Sequence, residues 1–150
     1  MTALPTPASS RGTVSTPTTR SAALTLVRLL LLLEAALGLG VAILLSLLAP
    51  LVRDDIGGVS GDAAETTLRF AAAAGFLFAI AAAIASRGVR RRRGWAWTTA
   101  AVLQLLLAVG TGVAVIAAEW HPAYLAGFAL AGLTMAILCF PSVRRELGQE

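Results

Sequence analysis

Lysine is absent from this 150-residue chain, cysteine and histidine occur once each, and charged residues make up only 13% of it. Each shortage removes a class of protein. The lone Cys139 leaves no internal disulfide to form. One His and one Cys cannot assemble a metal-ligand cluster of recognised spacing, so neither a metal nor another cofactor is expected. With so few charges and 57% apolar residues, a chain this short cannot hide its apolar surface in an ordinary soluble core. The missing lysine, with every basic residue an arginine and alanine abundant, reads as the coding bias of a high-GC bacterium rather than as chemistry.

What the chain has in quantity is apolar length. Residues 29–52, 68–86, 95–118 and 122–140 are each long enough to cross a bilayer core of ~30 Å at ~1.5 Å per helical residue. The arginines are sorted between the loops. Ten of the twelve fall in the N-terminal tail (Arg11, Arg20, Arg28), the second loop (Arg87, Arg90, Arg91, Arg92, Arg93) and the C-terminal tail (Arg144, Arg145). Arg53 and Arg69 lie on the other side. Cytoplasmic loops carry an excess of basic residues, so this asymmetry predicts that the four spans run with both termini cytoplasmic. Trp95 and Trp97 then mark the inner headgroup level, and Trp120 and Tyr124 the outer one.

Residues 1–22 form a tail in which twelve of the first twenty residues are Ser, Thr or Pro. It has no apolar periodicity and is predicted to be disordered, leaving residues 23–147 as the transmembrane domain. A cleaved signal peptide fits poorly, because the first apolar run is too long and has no Ala-x-Ala-like site before a mature domain. The loop 53–65, with Asp54, Asp55, Asp62, Glu65 and three glycines, reads as acidic and flexible. Gly38-x-Gly-Val-Ala-Ile43 resembles Gly110-x-Gly-Val-Ala-Val115, and Ala74-Gly-Phe76 resembles Ala126-Gly-Phe128, a hint of a parallel repeat of the two hairpins, although chance gives such matches readily in so apolar a sequence.

In a soluble protein the net charge of +4 would point to nucleic acid. Here loop bias accounts for it, and no nucleic-acid partner is expected. Arg87 and Arg90 to Arg93 are a topology signal that is equally able to attract anionic lipid headgroups, at about 1 kcal/mol per residue.

Glu34 is the one ionisable residue well inside a span. At mid-membrane it costs about 2.5–3.5 kcal/mol, which the five leucines 29–33 roughly offset at a few tenths of a kcal/mol each. It lies six residues beyond Arg28, ~9 Å deep by helical rise. Gln104, nine residues beyond Trp95 in a span of the same direction, is its expected partner. Stripes at i+4 spacing accompany the pair: Glu34, Gly38, Ala42 and Ser46 in span 1, and Ala100, Gln104, Ala108 and Gly112 in span 3. Small residues let helices approach and a polar pair fixes register, so spans 1 and 3 are expected to meet along these stripes. Span 2 offers its own ridge of Ala71, Gly75, Ala79 and Ala83.

An intramembrane acid is also a candidate proton or cation site. Four-span multidrug exporters use a glutamate in their first span, but they commonly pair antiparallel subunits of weak charge bias, whereas ten arginines against two pin this chain one way round. Aromatics able to cradle a cationic substrate are scarce, with Phe76 and Phe78 the one pair near the right depth. His121 reads as a solvated loop residue. No nucleophile–base arrangement, phosphate loop or intramembrane protease motif is present, and an enzyme is not expected.

Leu-Leu-Glu34-Ala-Ala, Arg-Arg-Arg-Arg-Gly-Trp95, Gln104 and Pro141-Ser-Val-Arg144-Arg145 together resemble small four-span actinobacterial integral membrane proteins, over about residues 25–147. The resemblance implies a plasma-membrane protein in which the Glu and Gln recur, and it implies no reaction. The chain departs from that pattern at Gly-Trp-Ala-Trp97, where another basic residue is expected. The expectation is an all-α, four-helix transmembrane bundle, non-enzymatic, structural or accessory, packing with itself or within a larger membrane complex. Its alternatives are a small proton-linked transporter using Glu34, and a lipid-interacting or stress-sensing module using the arginine loop.

Overall fold

A computed structural model describes residues 18–117 and 122–148. Those residues form five helices and no strand: α1 (Thr18–Ile56), α2 (Gly58–Arg90), α3 (Gly94–Ala117), α4 (Pro122–Leu138) and a short α5 (Pro141–Glu146). Two antiparallel hairpins, α1–α2 and α3–α4, make an all-α four-helix bundle.

Three of the helices, α1, α2 and α3, are long and apolar enough to cross a membrane, and α4 is a shorter apolar helix. Only 11%, 22% and 17% of the most apolar windows of α1, α2 and α3 are buried inside the protein. Leucines such as Leu47 and Leu105 face outward, 65% and 62% exposed. Helices that are apolar all round and so little covered by their own neighbours require a nonpolar solvent.

α1 and α2 are longer than a bilayer is thick. At ~1.5 Å per residue, the 39 residues of α1 measure about 58 Å. The segment 53–65, expected as a flexible acidic loop, is therefore a correction: α1 continues through it to Ile56 and α2 begins at Gly58. The reversal is confined to Gly57 and Gly58, which take φ of 67° and 59°, a conformation glycine adopts without penalty. Glycine here makes a sharp corner rather than a slack loop. Arg53 then bridges the corner, its Nε 2.8 Å from Asp62 and 3.5 Å from Glu65, while Arg69 pairs with Glu65 one turn along α2. Pro50 sits inside α1 without ending it. Side-chain packing and neighbouring groups make up for a missing backbone bond in apolar helices of this kind.

The tail expected over residues 1–22 lies mostly outside the described residues, and its end, from Thr18, belongs to α1. The expected span 122–140 is cut short, since α4 stops at Leu138 and the chain turns at Cys139 and Phe140 into α5. The main core lies at the arginine end of the bundle. Val27 and Leu31 of α1, Val89 of α2, Ala96 and Ala100 of α3, Leu138 of α4 and Val143 and Leu147 around α5 are all buried there.

Candidate functional site

Glu34 is buried where the two hairpins meet, and each of its carboxyl oxygens is engaged by a different helix. Gln104 of α3 donates through Nε2 to Oε2 at 2.6 Å, and Thr134 of α4 donates through Oγ1 to Oε1 at 2.9 Å. All three residues are almost fully enclosed, at 2%, 1% and 0% exposure. Depth explains the meeting. Glu34 stands six residues above Arg28, and Thr134 six residues before Phe140, so both lie ~9 Å in from the arginine end. The Thr134 hydroxyl also approaches its own helix at the carbonyl of Leu130, 3.0 Å away. The Oε1 of Gln104 is buried and accepts no hydrogen bond.

Thr134 is absent from the sequence-based candidates. The signal was available: Thr134 is the one polar side chain in the middle of span 4, and its depth matches that of Glu34.

The small-residue stripe on α1 meets a different helix from the one expected. Gly38 and Ala42 pack against Gly75 and Ala79 of α2, not along α3. A Cβ placed on Gly75 would stand 3.1 Å from that of Ala42 and 3.4 Å from the Gly38 carbonyl, so the backbones touch. On α3, Ala108 and Gly112 are half-buried, and a Cβ on Gly112 would meet nothing within 4 Å. The contact between α1 and α3 in this region is the Glu34–Gln104 bond rather than a continuous seam.

At the arginine end, Arg87, Arg90, Arg91, Arg92 and Arg93 are all exposed along the last turn of α2 and the connection to α3. That connection is a Schellman motif. Arg93 N–H bonds the Gly88 carbonyl and Arg92 N–H the Val89 carbonyl, with Arg92 at φ 51° where glycine is usual. Trp95 is 43% exposed and lies against Gly88. Trp97 is half-buried and donates its indole N–H to the carbonyl of Leu138 at 2.9 Å, satisfying one of the open carbonyls at the end of α4. The Arg144 guanidinium stands 5.7 Å from the centre of the Trp97 ring. Tyr124 is half-buried near the start of α4, and Trp120 and His121 lie outside the described residues. Among the described residues no group of three His, Cys, Asp or Glu is placed to hold a metal ion.

No family model, curated protein or solved structure matches the chain.

Proposed function

We propose that this protein is a multi-pass integral membrane protein of the bacterial plasma membrane with a structural or accessory, non-enzymatic role. Both termini lie in the cytoplasm, and Glu34 joins its two hairpins into one unit. The observation that carries this reading is the engagement of both Glu34 oxygens by α3 and α4. A buried acid bonded in this way acts as glue between helices that apolar contacts alone do not hold in register. The arginine asymmetry supports the orientation. At 17 residues, α4 is about 25 Å long, the short end of what a bilayer requires, and supports a fourth span.

The proton-linked transporter reading has one observation on its side, the unpartnered Gln104 Oε1 beside the acid, an acceptor with room in its chemistry for a bound proton carrier. Reconstitution separates the two. The structural reading expects Glu34→Gln to keep the hairpins associated, Glu34→Leu to loosen them, and proteoliposomes of the wild-type chain to pass protons no faster than empty ones. Proton flux abolished by Glu34→Gln, with the fold intact, would replace it with the transporter.

A further inference from the structure

At the arginine end of the α1–α2 hairpin is a cleft of about 150 Å³, lined by Leu24, Thr25, Arg28, Val89, Arg90 and Arg92. Its apolar wall is firm, since Leu24 and Val89 are both part of the buried core. The three arginines come from separate places: Arg28 from α1, Arg90 from the last turn of α2, and Arg92 from the turn beyond it.

Two of these cations are uncompensated. Among the described residues, neither Arg28 nor Arg90 has a carboxylate within ion-pair distance. Arg92 reaches Glu146 only at 4.0 Å, and neither oxygen of Glu146 accepts a hydrogen bond. Three positive charges thus gather at one cleft whose lining holds no carboxylate, beside a low-dielectric wall where like charges repel more strongly than in open water. Arg92 moreover holds the left-handed position of the Schellman turn, at φ 51°. An arginine there costs backbone energy that glycine would not.

We propose that this cleft binds a single phosphate group, with Arg28, Arg90 and Arg92 as its ligands. Guanidinium groups match phosphate oxygens in paired, charge-assisted hydrogen bonds, and a bound anion removes the repulsion among them. The same chemistry is offered by the phosphodiester of an anionic lipid headgroup and by a free phosphate ion. The membrane reading, on which the lipid source rests, puts the cleft at headgroup level, because the leucine run begins directly after Arg28.

The test uses the purified full chain in zwitterionic detergent micelles, following Trp fluorescence. Three probes are titrated separately: short-chain phosphatidylglycerol, short-chain phosphatidylcholine and inorganic phosphate. One saturable site is expected for an anionic phosphate. Arg28→Gln or Arg90→Gln should weaken it about tenfold, and Arg91→Gln, outside the cleft, less than twofold. Arg92→Gly should weaken binding while the protein melts no lower than wild type, separating the ligand role from the role in the turn. Saturation by phosphatidylglycerol but not by inorganic phosphate assigns a lipid; saturation by inorganic phosphate alone assigns a soluble ligand; both support the site. Non-saturable binding, equal losses for Arg91→Gln and Arg28→Gln, or no binding of any probe overturns it. Failure of the membrane reading would show separately, as protein that does not float with liposomes on reconstitution.

Discussion

Thr134 and Glu34 are a hundred residues apart in the chain, and the Thr134 hydroxyl meets the Glu34 carboxyl at 2.9 Å. Together with Gln104 they tie α1, α3 and α4 at one depth. Removing the acid should therefore cost more than removing either partner. Glu34→Leu leaves a buried amide and a buried hydroxyl without their shared acceptor and should destabilise the bundle by about 1–3 kcal/mol. Thr134→Val should cost about 0.6 kcal/mol, the usual scale of one hydrogen bond between membrane helices, because the hydroxyl has a second acceptor in its own helix. Glu34→Gln should fall between the two. Thermal unfolding in a fixed detergent checks the order; a Thr134→Val variant as damaged as Glu34→Leu would show that the tie runs chiefly through α4.

Much of this arrangement was legible in the sequence, and its failures share a cause. Apolar runs locate α1, α2, α3 and the shorter α4, and matched depth pairs Glu34 with Gln104, because helical rise converts residue number directly into distance. Depth does not tell which way a helix face turns. The stripe Gly38–Ala42 is compatible with any small-residue partner, and the partner is set by the corner at Gly57 and Gly58, which brings α2 back along α1 before α3 exists in the chain. Reading those glycines as slack rather than as a corner hid both the helical extension to Ile56 and the identity of that partner. α5 does not stand out in the sequence because six residues that begin with a proline carry too little periodicity, although Val143 is almost wholly buried.

Close approach at Gly75 gives a second expectation. A side chain there must displace Ala42 or the Gly38 backbone, and Gly75→Leu should destabilise the α1–α2 hairpin by about 1–3 kcal/mol. Gly112→Leu meets open space and should be tolerated within about 0.5 kcal/mol. Comparing the two melting temperatures removes the shared effect of adding a leucine. A Gly112→Leu penalty equal to that of Gly75→Leu would mean that Gly112 faces a partner, a second copy included.

Orientation is open to direct labelling. With Cys139 replaced by serine, Ser60→Cys lies at the acidic corner and Ser142→Cys at the start of α5, on opposite ends of the bundle. An impermeant maleimide should label Ser60→Cys in intact cells and Ser142→Cys only after lysis, as the positive-inside bias requires. The reverse pattern would sink the proposed topology while leaving the bundle itself untouched.

The bond from Trp97 to Leu138 carries the last expectation. It joins the first turn of α3 to the last carbonyls of α4, just before the chain turns into α5. Trp97→Phe keeps an aromatic ring beneath Arg144 but deletes the donor, leaving the Leu138 carbonyl unpaired at a cost of about 0.5–1.5 kcal/mol. Arg144→Gln removes the cation and keeps the bond, and should cost about 0.5–1 kcal/mol at this exposed position. Because α5 contributes Val143 to the same core, the loss should be felt locally before it is felt globally. Amide exchange over residues 139–147 should speed up more in Trp97→Phe than in Arg144→Gln, while exchange in the middle of α1 and α2 stays as in the wild type. Uniform acceleration along all helices would instead make this bond a support of the entire bundle rather than a local clasp on its arginine end.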